Sequence, residues 1–184
     1  MRVIWSDETK INRYSTDGRK WLWKKEGESL QTKDFIQTVK HGGGNIKLWG
    51  CLTAYGVGPI CKIEGNMDAK MYLNILKTHL LKAVENMPYP VNEVMFQHYN
   101  DPKHTSKIVK NWLNKQEFHV LPWPSQSPDI NPIENLWAYL KSMLLNQYKA
   151  PPSNLNILWE RVQEQWYQIP PNYCEKLVKS VENR

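Results

Sequence analysis

Three places in the sequence carry side chains that could do chemistry where an element ends rather than inside one. Asp7 follows the apolar run 2–6 (RVIWS). The string Phe96-Gln97-His98-Tyr99-Asn100-Asp101-Pro102-Lys103-His104 closes a β-rich run at 93–98. Glu134 sits in the first turn of a helix that begins near Pro132. Carboxylates at the ends of neighbouring strands and a facing helix can converge on one point, and hard oxygen ligands of that kind suit Mg²⁺ or Mn²⁺. Each position also has a plainer explanation. Asp7 alone is more often a solvated turn residue. Asn131, Pro132 and Glu134 match the N-cap, first and third positions of an ordinary helix start. His98 and His104 have no third histidine or cysteine beside them, so they read as surface or hydrogen-bonding residues.

These positions need elements to hold them. Strand-like runs are expected at 2–6, 20–24, 46–55 and 59–63, with Gly56 and Gly58 marking a turn. The polar stretch 25–45 ends in Gly42-Gly43-Gly44, lacks the pattern of a phosphate loop, and reads as a hinge or hairpin tip. Asp68 is expected to cap a helix reaching about 86. A buried strand at 93–98, a helix over 105–116, a short strand at 118–121, and helices over 132–146, 154–168 and 171–181 follow. The four prolines of PWPSQSPDINP exclude regular structure between them. Strands first, then alternating helix and strand, predict an α/β domain with a mixed central sheet flanked by helices.

Composition sets limits. The 184 residues fit one domain, with 41% hydrophobic and 23% charged residues. The formal charge of +6 favours a polyanionic partner bound in a salt-sensitive way, although a merely basic surface would give the same number. Nine tryptophans read as core first and base-stacking platforms second. Cys51, Cys61 and Cys174 are odd in number and widely spaced, which describes neither a disulfide framework nor a zinc site. No run approaches the roughly 18 apolar residues of a membrane helix. The expectation is a soluble intracellular protein without a membrane partner.

Read together, the motifs resemble one family. WSDETK (5–10) is similar to the first catalytic motif of Tc/mariner transposases, and DGRKWLWKKEGE (17–28) resembles their clamp loop. KLWGCLTAYGVGPI (47–60) resembles the strands after it. MFQHYNDPKHTSKIVKNWL (95–113) resembles the second motif, and LPWPSQSPDINPIENLWAYLK (121–141) the third, which is highly specific. SNLNILWERVQEQW and IPPNYCEKLVKS resemble the C-terminal helices, so nearly the whole chain is covered. The resemblance implies an RNase H-like fold with a β-hairpin clamp-like insertion. It also implies an acidic triad binding two divalent ions roughly 3.5–4 Å apart for in-line attack on DNA phosphate. Asp7 and Glu134 match the first and third carboxylates. The second matches position 99, where this chain has tyrosine; the 34 residues between Tyr99 and Glu134 are the spacing of the Glu-ending branch.

That departure predicts weak metal occupancy and little strand transfer, because a phenol is neutral at pH 7 and bulkier than a carboxylate. Asp101, with the same strand parity as position 99, is the possible substitute ligand, but it lies roughly 6.6 Å further along an extended chain. His98 should face the other way. Lys103, His104, and Lys24 and Lys25 in the clamp-like 21–30 segment are candidate contacts for DNA or a partner. The resemblance further implies transposon-end and target DNA as partners, a possible homodimer and a nuclear location. It implies helix-turn-helix domains ahead of the catalytic core; this sequence starts at the core, as a single domain over 1–184, so those domains are expected to be absent. The alternative function is a DNA-binding or assembly module that keeps the fold without catalysis.

Overall fold

In the computed structural model the described residues are 1–13, 44–124, 127 and 130–183. The expected strand at 20–24, the clamp-like segment and most of the 25–45 stretch lie outside them, as do Lys24 and Lys25. β1 (Val3–Asn12) runs through Asp7 rather than ending at it. β2 (Asn45–Thr53) and β3 (Gly56–Ile63) form an antiparallel hairpin, and β2 pairs antiparallel with β1. β4 (Met95–Gln97) and β5 (His119–Val120) add in parallel on the other side of β1. The sheet order is β3-β2-β1-β4-β5, with the first three strands in sequence antiparallel and the last two parallel. The predicted mixed sheet is present, and the strand carrying Asp7 is its centre.

Alternation along the strands sorts side chains onto two cores. Val3, Trp5, Ile11, Leu48 and Leu52 pack against α4 (Pro132–Gln147), α5 (Leu155–Tyr167) and α6 (Pro171–Lys179). Ile4, Trp49, Cys51 and Phe96 pack on the opposite face. There the covering helices are α1 (Ala69–Ile75), a π-helical turn (Leu76–Leu80), α2 (Leu81–Glu85) and α3 (Lys107–Leu113). Asp68 caps α1 as expected, accepting from Met71 N at 2.8 Å. The single helix expected to about 86 is therefore present, with a π turn inside it. α3 starts two residues later than expected, because Asp101 to Ser106 form turns.

α4 is built by its own sequence. Asn131 Oδ1 accepts from Ile133 N at 3.3 Å, and Pro132 occupies the first turn, where no backbone donor is needed. Ile133, Leu136, Trp137 and Leu140 repeat at helical spacing and are all buried. Among the described tryptophans, Trp5, Trp49, Trp137 and Trp166 are core residues, as expected. The three cysteines are unpaired. Among the described residues no helix is long and apolar enough to cross a membrane.

Candidate active site

Asp7 and Gly50 are direct partners across β1 and β2, so they share the face covered by α4. A Cβ on Gly50 would stand 2.7 Å from the Trp137 ring and 3.4 Å from Trp166. Glycine there lets the two stacked indoles, with centroids 5.0 Å apart, settle on the sheet. Glu134 lies one turn before Trp137, so the close approach that glycine permits also carries Glu134 over Asp7. Tyr99, two residues beyond Gln97 at the end of β4, reaches the same spot. Its hydroxyl donates to Glu134 Oε1 at 3.4 Å. Residues 7, 99 and 134, scattered over the sequence, meet at one end of the sheet.

The electrostatics follow from burial and from neighbouring carboxylates. Asp7 is pushed up to about 8, first by burial and then by the charges of Glu134 and Glu8. Tyr99 is pushed up to about 12 by burial, with the negative charges of Asp7 and Glu134 adding to it. Neither Asp7 nor Glu134 has an ion-pair partner among the described residues. Asp7 is therefore shifted towards its protonated form, and a neutral phenol stands beside the two carboxyl groups, in contact with Glu134. Among the described residues no group of three or more histidine, cysteine, aspartate or glutamate side chains could hold a metal ion.

The neighbouring candidates lie elsewhere. His98 turns to the opposite face, as strand parity predicts: its Nδ1 is 3.0 Å from the Tyr72 hydroxyl, and burial lowers its pKa to about 4. His104 is only 3% exposed. Its Nδ1 lies 3.0 Å from the Tyr99 carbonyl and its Nε2 3.1 Å from Glu8 Oε1. Of the two readings, surface or hydrogen-bonding, the second describes it: the ring joins β1 to the chain after β4. Lys103 Nζ lies 2.8 Å from Asp101 Oδ2 and 3.5 Å from Glu8 Oε2. Asp101 also accepts from Lys103 N at 3.0 Å, and the Lys103 ammonium and backbone hydrogen bonds hold its carboxyl below the ordinary range despite partial burial. That carboxylate is engaged in closing its own turn.

Sequence reasoning passed over Ser6 and Gln97 and read Asn131 only as a helix cap. Ser6 Oγ donates to Gln97 O at 2.9 Å, and Ser6 N donates to Gln97 Oε1 at 3.3 Å. Asn131 Nδ2 donates to Ser6 O at 3.3 Å and to Gln97 Oε1 at 3.4 Å. The signal available was weak: polar residues in otherwise apolar runs, each just before a site position.

A mixed five-stranded sheet with helices on both faces, and an acidic residue on its central strand, is the RNase H-like arrangement. Structural likeness supports this. The Mos1 transposase paired-end complex with left transposon end superposes with a TM-score of 0.81 at 19% identity, covering 100% of this chain and 53% of that one. The catalytic domain of Mos1 mariner transposase gives 0.71 at 17% identity, covering 99% and 78%. The family model described as DDE superfamily endonuclease matches residues 2–155. This chain belongs to that family, as a catalytic domain of the Tc/mariner transposase type. It is 40% identical over 182 residues to the Transposable element Tc1 transposase of Caenorhabditis elegans, spanning 98% of this chain and 64% of the relative. The Transposable element Tc3 transposase of the same organism is 31% identical over 186 residues, spanning 100% and 54%. The chain thus spans between about half and two thirds of the length of these relatives.

Proposed function

We propose that this chain is the catalytic core of a DNA transposase whose metal-dependent strand cleavage and transfer are impaired by the tyrosine at position 99. The observation that carries this reading is the Tyr99 hydroxyl, 3.4 Å from Glu134 beside a half-buried Asp7. The family's chemistry needs a third carboxylate there. In the family two divalent ions do this work, and solved Mos1 complexes are described with Mn and with Mg. Asp7 and Glu134 would be the ligands left to this chain for Mg²⁺ or Mn²⁺.

The residues present do not fit a pair of such ions. Two carboxylates would face up to four positive charges, and the third group is a phenol that stays protonated at neutral pH. Its proton is directed at Glu134, so it donates where a cation needs an acceptor. Asp101 does not fill the gap, being held by Lys103.

The partner in this reading is DNA, transposon ends and target alike. The net charge of +6 supports it, as does the kinship with transposases, one solved neighbour of which is a complex with a transposon end. Lys103, and Lys24 and Lys25 from the clamp-like stretch, would meet phosphate. Homodimerisation and action in the nucleus belong to the same proposal. Tyr99 also favours a second reading, in which the fold survives as a DNA-binding or assembly module without catalysis.

The test is Tyr99→Asp, assayed with Mg²⁺ or Mn²⁺ on supercoiled DNA. The expected result is nicking at least about a hundredfold above the parent, which is the order of effect for restoring one strong electrostatic group. Strong metal-dependent nicking by the unaltered chain would overturn the diagnosis. A DNA mobility shift by the parent, with no nicking by either protein, would favour the second reading.

A further inference from the structure

Gln97 is wholly buried, lies two residues before Tyr99, and makes no contact that the cleavage chemistry requires. Its amide orientation is set by its neighbours. Oε1 receives the Ser6 N–H and the Asn131 side-chain NH₂, two donors that would repel a second donor in its place. That leaves Nε2 buried with no hydrogen-bond partner. An unsatisfied buried donor costs stability, so the amide is present for its oxygen. For packing alone, Gln97 is a poor choice.

What the amide does is join three elements. Ser6 immediately precedes Asp7 on β1, Gln97 lies on β4 ahead of Tyr99, and Asn131 caps the helix that carries Glu134. The same Asn131 also donates to the Ser6 carbonyl, and the Ser6 hydroxyl to the Gln97 carbonyl. All three side chains are buried, with Ser6 the most exposed at 2%. Each elements' site residue therefore sits one to three positions from a shared polar knot that contains no ion.

We infer that Gln97 is a positioning residue, whose side-chain oxygen ties β1, β4 and the start of α4 together so that positions 7, 99 and 134 stay converged. This rests on the proposed site at those three positions. Asp7 and Glu134 sit together without an ion-pair partner, so something other than charge attraction must keep them close. A hydrogen-bonded knot behind them does so while leaving their oxygens facing outward.

The test separates positioning from packing. In protein with ¹³C-labelled tyrosine rings, the Tyr99 signal is identified as the one lost in Tyr99→Phe, and it reports the hydroxyl's contact with Glu134. Gln97→Leu is expected to shift that signal and to lower the urea midpoint only modestly, since the orphaned Nε2 donor is gone while the Ser6 N–H loses its acceptor. Gln97→Glu keeps an acceptor oxygen in place and is expected to return the Tyr99 signal to its original position. If the leucine chain does not fold, Gln97→Met takes its place with the same readout. A Tyr99 signal unmoved by leucine or methionine, or moved as far by glutamate, would overturn the inference. A Tyr99→Asp protein that binds no Mn²⁺ would sink the metal reading and leave this result standing, because the signal comes from the tyrosine.

Discussion

Asp7 and Glu8 are neighbours on β1, yet the two faces of the sheet treat them in opposite ways. Glu8 points to the face where His104 lies 3.1 Å away and Lys103 3.5 Å away. Asp101, close by, is held by the same lysine. Asp7 points to the other face, where its charged company is Glu134 and the polar group nearest in role is a phenol. On one face carboxylates are paired within the protein; on the other they are gathered without an ion-pair partner among the described residues. Burial is tolerated in the first case by pairing and in the second by protonation. A protein that needed carboxylates only for structure would have no reason to crowd two of them on the unpaired face, which is why the asymmetry marks the site.

The largest effect expected from disturbing this contrast is the Tyr99→Asp restoration of nicking, since it adds the acceptor that the unpaired face lacks. The next is a difference in pH dependence. Asp7 has a folded-state value of about 8 against an ordinary 3.8, so the folded state holds a proton that the unfolded state releases. Stability from this group is greatest below about pH 4 and is lost as pH rises towards 8. Asp7→Asn should therefore be nearly neutral at pH 4 and stabilising by a few kcal/mol at pH 8.5, a figure reduced from the full shift for partial solvent relaxation. Glu8→Gln should do the reverse, losing about 1 kcal/mol at neutral pH by weakening its contacts with His104 and Lys103. Urea denaturation of both variants across pH 4–9 measures this. Equal behaviour of the two would remove the contrast between the faces.

Gly50→Ala probes how the unpaired face is assembled. The added methyl stands 2.7 Å from Trp137, so the indole and the helix behind it must move. A loss of about 1–3 kcal/mol is expected from overpacking. In the Tyr99→Asp background the same change should reduce nicking, because Glu134 travels with Trp137. Unchanged stability would show that the helix does not depend on this approach.

Much of this was legible in the sequence. The helix starts at Asp68 and Asn131 were marked by capping residues, and the strands over 46–55 and 59–63 by β-branched and aromatic runs, because those signals are local. The parity of His98 and Tyr99 followed from the two-residue strand repeat. The convergence of 7, 99 and 134 came from family resemblance, since nothing local predicts that β4 pairs beside β1. The knot of Ser6, Gln97 and Asn131 was not legible at all: its members are 34 to 125 residues apart and become partners only when the sheet order is known. The hydrogen-bonding reading of His104 was legible but its partner was not, Glu8 being 96 residues away.

The smallest effect expected is that of Asp101→Ala, and it is the sharpest check on which face does the chemistry. Asp101 has the right parity to stand in for a lost ligand, but its oxygens are bound to Lys103 N and Nζ within its own turn. Its carboxyl is about two-fifths exposed, so the pair contributes less than about 1 kcal/mol. Removing it should cost about that much in urea denaturation and should leave the nicking of Tyr99→Asp within about twofold. Lys103 would keep Glu8 as a partner, so the paired face would lose one member and remain neutralised. If instead the unaltered chain nicks DNA and Asp101→Ala abolishes that, the ligand set runs through the turn after β4. The line drawn here between a paired and an unpaired face would then be in the wrong place.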